Sequence, residues 1–225
     1  AAHELRTPLA VMQTNLEVFA RKKTPTIEEY QDIFGMIQNQ TERLSHLSEV
    51  LLDMTGIQSV ERSDSISLAE LTDEVCCDLA AIADQKKVEL IQEEGDCTVT
   101  GSYLLLYRAV YNLVENAIKY NHSGGKVTVK ISQTKALPAA HSKPADYALV
   151  EVTDTGIGIS PEYQEKIFAP FFRVDKSRSR AMGGAGLGLA LVSEIARQHN
   201  GQVKVTQSSE KGSTIALILP ESTDY

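Results

Sequence analysis

At 225 residues with 42% hydrophobic side chains, the chain is long enough to bury the core of one large or two small domains, and its patterning favours two. A formal net charge of −8 opposes the phosphate backbone of DNA or RNA, whose binding needs clustered Lys and Arg, and excludes nucleic acid as a main ligand. The three cysteines, Cys76, Cys77 and Cys97, lack metal-ligand spacing and read as buried thiols in a reducing compartment. No apolar run approaches the roughly 20 residues of a membrane span and no signal sequence precedes His3, so a soluble fragment without membrane contact is expected. The abrupt start beside His3 predicts further sequence upstream.

Leu5, Leu9, Met12, Leu16 and Phe19 recur at steps of four and three, the seam of a bundle helix. The stretch RKKTPT (21–26) interrupts the pattern. A second seam follows at Ile33, Ile37, Leu44, Leu47, Leu51 and Met54. Two antiparallel helices carry too little core alone, so the hairpin (1–58) is expected to pair as a homodimer into a four-helix bundle, with Leu44, Leu47 and Leu51 facing the partner. His3 sits two residues off the seam, on the solvent side. Its imidazole is mostly neutral at pH 7 and offers a lone pair for nucleophilic attack, with Glu4 placed to orient it. Pro8 removes a backbone donor, frees the carbonyl of Glu4 and permits a bend beside His3.

The heptads stop near Gly56, and 59–66 reads as a linker to a second domain at 67–225. Ser67 with Glu70 forms a capping box for a helix over 68–86. KVELI and CTVTG are short strands, and 102–121 is a long helix. GGKVTVKIS and DYALVEVTD alternate apolar with polar as paired strands do, joined by a loop at 133–145. A short helix at 161–168 leads into a Gly-, Ser- and Arg-rich segment at 173–186, then a helix at 187–199 and the strands GQVKVTQ and GSTIALILP. Strands without regular helical crossovers predict an α+β fold in which this half is a sandwich with helices on one face.

Within that half, Asn112, Asn116 and Lys119 share one helix face. An amide oxygen is a hard ligand suited to Mg2+, a lysine is a compact charge for phosphate, and Tyr120 can pack on a base. In DTGIGI (154–159), Asp154 at a strand end is an acceptor for an exocyclic amine, while Gly156 and Gly158 let the backbone approach a ligand. GGAGLGLALV (183–192) runs four glycines into a helix whose N-terminal N–H groups suit phosphate. The Walker loop is absent, as is a strand followed directly by GxGxxG.

These stretches together resemble the bacterial two-component sensor histidine kinases. HELRTPL matches the H box of the dimerisation and phosphotransfer domain. NLVENAIKY, DTGIGI, IFAPFFRVD and GGAGLGLAL match the N, G1, F and G2 boxes of the Bergerat (GHKL) ATP-binding domain, and KGST resembles its final glycine motif. The boxes occur in family order and cover nearly the whole chain. The resemblance implies that His3 accepts the γ-phosphoryl group of ATP with Glu4 assisting, and that Thr7 serves dephosphorylation of the partner regulator. It places Mg2+ on Asn116, Asn112 and Lys119 near the phosphates, and Asp154, Tyr120 and Ile159 at adenine, with Gly156 and Gly158 beside them. Phe168, Phe171, Phe172 and Arg173 would anchor a lid carrying Lys176, Arg178 and Arg180. Gly184, Gly186, Leu187 and Gly188 would border the phosphates, and Thr214 the adenine end. The implied partner is the receiver domain of a response regulator, and the implied location the cytoplasmic portion of a membrane-anchored protein. Ala2 and Ala185 depart from common family residues without touching these roles. The ATP-hydrolysing members of the same fold, resembling gyrase, carry a glutamate four residues before the magnesium asparagine; here that residue is Asn112, and an amide is no general base.

Overall fold

A computed structural model describes residues 2–56, 60–134, 146–174 and 186–222, with side chains described outside 2–5, 42–43 and 46–56. Helices α1 (Ala2–Ala20) and α2 (Ile27–Gly56) form a hairpin. The turn is the expected 21–26 stretch, and α1 continues through Pro8. Thr26 and Glu29 close a reciprocal box at the start of α2: Glu29 N–H donates to Thr26 Oγ1 at 3.2 Å and Thr26 N–H to Glu29 Oε2 at 3.0 Å. Lys22 Nζ binds the other Glu29 oxygen at 2.5 Å, and Phe19 meets Tyr30 edge to face at 5.0 Å. On the seams, Met12, Phe19, Ile33, Ile37 and Leu44 are half-buried, whereas Leu9 and Leu16 remain 52% and 44% exposed.

The second half begins earlier than expected. Residues 64–66, expected within the linker, form strand β1 (Asp64–Ser67) with Ser67, antiparallel to β3 (Thr98–Gly101). Its single apolar residue, Ile66, pairs with Val99 and is buried in the core. Helix α3 (Leu68–Lys86) is capped by Ser67, whose Oγ accepts from Glu70 N–H at 3.2 Å. Asp96, distant in sequence, supplies a further acceptor to the cap, taking the Ser67 hydroxyl at 3.1 Å and Ala69 N–H at 3.0 Å.

β2 (Glu89–Gln92), α4 (Tyr103–Lys119), β4 (Lys126–Thr134), β5 (Tyr147–Asp154), α5 (Gly188–Gln198), β6 (Gln202–Ser209) and β7 (Gly212–Pro220) follow. They build a five-stranded sheet in the order β2-β4-β5-β7-β6, antiparallel except for the β2–β4 pair. The expected helix at 161–168 is instead two 3-10 turns, Pro161–Tyr163 and Lys166–Phe168. The expected loop at 133–145 loses its first two residues to β4, and 135–145 lie outside the described residues.

Helices α3, α4 and α5 cover one face of the sheet, and the core lies between the layers. Leu71, Leu79, Leu106, Ile118, Ile195 and Leu217 are fully shielded there. The opposite face carries Thr128, Lys130, Glu151, Thr153 and Thr214. The α+β layering thus follows from strand alternation: Val150 and Val152 point to the helices, Glu151 and Thr153 away. Of the cysteines only Cys97 is buried; Cys76 is half-buried, its thiol pushed up to about 11 mainly by burial, and Cys77 is exposed on α3.

Candidate functional site

A cleft of about 440 Å3 opens between the face of α4, the ends of β5 and β7, the 157–160 loop and the start of α5. One wall is α4. Asn112, Asn116 and Lys119 all line the cleft, as their spacing predicts, and Glu115 joins them. Asn112 donates its Nδ2 to the Arg108 carbonyl at 2.8 Å, which turns Oδ1 toward α5. There the backbone of Gly188 comes so close that a Cβ would lie 2.5 Å from Asn112 Oδ1 and 3.7 Å from Asn116 Nδ2, so a side chain at this position would push the Asn112 amide aside.

Lys119 ends α4 in a half-buried position. Burial holds its ammonium below the usual lysine range, with the positive charges of Arg173 and Lys86 acting the same way and Glu115 opposing them. Lys86 reaches across from α3 and donates Nζ to the Lys119 carbonyl at 2.5 Å and the Ile118 carbonyl at 3.5 Å. A cation at the carbonyl end of a helix satisfies its last acceptors and its dipole. Lys86 thereby fixes the turn that presents Lys119 and Tyr120 to the cleft.

The opposite end is built on Asp154, the last residue of β5. Burial pushes its carboxyl above the usual aspartate range, while N–H groups of Gly156, at 2.8 Å, and Ser213 oppose the shift by stabilising the carboxylate. Tyr120 and Ile159 line the same end. Ile157 N–H donates to the Tyr120 carbonyl at 3.4 Å, tying the loop to the end of α4. Gly158 has φ +70, and a Cβ there would lie 1.8 Å from the Ser209 carbonyl, so the loop lies against the β6–β7 hairpin only as glycine.

Several expected residues fall elsewhere. Thr214 is on the face of β7 turned away from the helices, its hydroxyl 3.0 Å from that of Thr153; the residue facing the cleft is Ser213, opposite Asp154 in the β5–β7 register. Period-two alternation places Ser213, Ile215 and Leu217 on one face, a signal present in GSTIALILP. Leu187 is 1% exposed in the core rather than at the cleft. Phe171 packs against the core with φ +64, and Phe172 and Arg173 line the cleft beside it. Gly156 is buried behind Asp154, and Gly186 lines the cleft, its carbonyl accepting from Phe171 N–H at 2.8 Å. Gly184, Lys176, Arg178 and Arg180 lie outside the described residues, as do the side chains of His3 and Glu4, whose backbone belongs to α1. Thr7 is exposed one turn along α1.

The cleft therefore has an oxygen-rich wall with an ammonium at one side and a half-buried carboxyl group beside apolar Ile157, Ile159 and Ile215 at the other. Asn112, Glu115 and Asn116 offer only hard oxygen donors to a metal. Among the described residues no group of three or more His, Cys, Asp or Glu side chains converges.

Residues 101–223 match the model of the histidine kinase-, DNA gyrase B-, and HSP90-like ATPases, and residues 1–59 that of the His Kinase A (phospho-acceptor) domain. The chain belongs to the two-component histidine kinase family. Over 98% of its length this histidine kinase chain is 34% identical to the sensor histidine kinase RppB of Synechocystis sp., covering 47% of that protein. It spans about half the length of the curated relatives it matches. Its fold is shared by full-length ShkA in complex with AMPPNP (TM-score 0.67, 24% identity, covering 99% of this chain and 45% of that one). The histidine kinase ThkA in complex with the response regulator protein TrrA is similar too (TM-score 0.69, 21% identity, 98% and 60% covered).

Proposed function

We propose that the chain is the catalytic core of a sensor histidine kinase that uses ATP and Mg2+ to phosphorylate its own His3 and then passes the phosphoryl group to an aspartate in the receiver domain of a response regulator. The observation that carries this reading is the convergence of Asp154, Lys119, Asn112 and Asn116 on one cleft. Asp154 accepts from the adenine amine, Tyr120 and Ile159 flank the base, and Lys119 and the start of α5 meet the phosphates. Asn116, with Asn112 and Glu115 beside it, is the site for Mg2+, which when bound offsets phosphate charge. Transfer is then largely a matter of positioning. A His3 ring nitrogen forms a bond to the γ-phosphorus as the bond to the β–γ bridging oxygen breaks and ADP leaves; the proton of the phosphorylated imidazolium passes to Glu4. Thr7, one turn on, is assigned to the reverse task of dephosphorylating the regulator.

The phosphotransfer unit is assigned to residues 1–58, and the ATP unit starts at β1. Exposed seam residues support a homodimer through the hairpin. The regulator partner is supported by the ThkA–TrrA complex. No helix among the described residues is long and apolar enough to cross a membrane; we assign the chain to the cytoplasmic side of a membrane-anchored sensor. Hydrolysis as the main outcome has no support at position 112, where an amide replaces the water-activating carboxylate. The test is incubation with γ-labelled ATP and Mg2+: the reading expects label on the protein that is lost in acid and kept in base, as phosphohistidine behaves. Free phosphate as the sole product would overturn it.

A further inference from the structure

On the nucleotide reading of the cleft, we propose that Ser208, which does not itself line the cleft, is a positioning residue that sets the preference for adenine by fixing the hydroxyl of Ser213. Ser208 on β6 stands opposite Ser213 on β7, and Ser213 stands opposite Asp154 on β5. The two serine hydroxyls are 3.0 Å apart, and Ile159 N–H donates to Ser208 Oγ at 2.7 Å. Ser213 is 4% exposed, and it lines the cleft together with Asp154 and Ile159.

A hydroxyl has one proton and two lone pairs. The Ile159 N–H occupies one lone pair of Ser208, and among the described residues the remaining hydrogen-bond partner of Ser208 Oγ is Ser213 Oγ. If Ser213 donated to Ser208, the Ser208 proton would have no acceptor among the described side chains and would turn to solvent. The proposed direction runs Ile159 N–H to Ser208 O–H to Ser213, which keeps both of these protons bonded within the protein and leaves the Ser213 proton directed to the cleft. Bonds in such a chain polarise one another.

The cleft then presents an acceptor, Asp154, beside a donor, Ser213. Adenine matches this pair with a donating exocyclic amine next to an accepting ring nitrogen. Guanine reverses both groups: its carbonyl oxygen would face the carboxylate and its ring N–H the serine proton. Without Ser208 the Ser213 hydroxyl rotates and serves equally as donor or acceptor, and Ile159 N–H loses its partner.

The experiment measures ATP and GTP in competition with a fluorescent nucleotide on the full chain, for the wild type, Ser208→Ala, Ser208→Thr, Ser213→Ala and the double alanine variant. Expressed as the ATP-to-GTP affinity ratio, the result does not depend on the fraction of protein that is folded. Ser208→Ala is expected to lower the ratio by about tenfold, the scale of one net hydrogen bond. Ser208→Thr, which restores the hydroxyl, keeps it, and in the Ser213→Ala background the further change Ser208→Ala shifts it less than about twofold. An unaltered ratio in Ser208→Ala, the same loss in Ser208→Thr, or an equal loss on the Ser213→Ala background would each overturn the role of Ser208. A wild type that binds neither nucleotide would instead overturn the nucleotide reading beneath it.

Discussion

Two halves of one chain treat the same kind of side chain in opposite ways. In the hairpin, Leu9, Leu16, Ile27 and Phe34 meet water, Ile27 being 78% and Phe34 67% exposed. In the ATP unit, Leu71, Leu79, Leu106 and Ile118 are fully shielded. The ATP unit stacks a sheet against a helical layer and completes its core within the chain. The hairpin is a single layer, and an apolar stripe on a single layer stays open to solvent unless a further layer covers it. The difference implies that the two halves lose structure for different reasons and respond to different substitutions.

The sharpest way to break that comparison is to damage one half and watch the other. Leu106→Ala removes a fully buried side chain of α4 and is expected to cost about 2–5 kcal/mol in the ATP unit. Thermal melting of that unit should fall while sedimentation still reports a dimer; loss of the dimer together with the ATP unit would merge the two halves into one. The reciprocal change, Leu16→Glu, withdraws about 1.5–3 kcal/mol of burial per protomer from the seam and adds a carboxylate there. Monomers in sedimentation with nucleotide affinity kept within about twofold are the expected result, and Leu47→Glu on the second seam should behave alike.

Acid should act on the ATP unit and spare the hairpin seam. His199 is buried with Nε2 accepting from Ser102 N–H at 3.0 Å and Nδ1 2.8 Å from the Ile195 carbonyl. Burial holds its ring below the usual histidine range, the charge of Arg62 adds to this, and the Ile195 carbonyl opposes it. Since the folded state refuses a proton that the unfolded chain accepts, stability is full above the ordinary imidazole value of about 6.5 and declines as pH falls below it. Urea midpoints between pH 7 and 5 should show this slope, and His199→Gln should remove that part of it. The smallest effect belongs to Thr214→Ala. Half-buried on the face of β7 turned away from the cleft, it should change stability by no more than about 0.5 kcal/mol and leave nucleotide affinity unaltered, in contrast to its neighbour Ser213.

The elements carried by local pattern were readable from the residues alone: the seams of α1 and α2, the α4 face of Asn112, Asn116 and Lys119, and the alternation of β4 and β5. What escaped depends on partners distant in sequence. β1 has one apolar residue, Ile66, and becomes a strand only against Val99. The cap of α3 is completed by Asp96. Leu187 and Phe171 belong to glycine- and phenylalanine-rich motifs, but packing turned both toward the core. The choice between Ser213 and Thr214 rests on strand parity, which the Asp154–Ser213 register decides. The Thr26–Glu29 box is legible as Thr-x-x-Glu, but Pro25 beside it marks the same stretch as a turn.

The claim that acceptor and nucleotide site belong to separately built halves is tested most directly on His3→Gln, by measuring γ-phosphoryl labelling and fluorescent-nucleotide affinity on the same preparation. Labelling should vanish while affinity stays within about twofold of the wild type, because among the described residues none that lines the cleft belongs to α1. Labelling that persists, or nucleotide binding that disappears with His3, would contradict it.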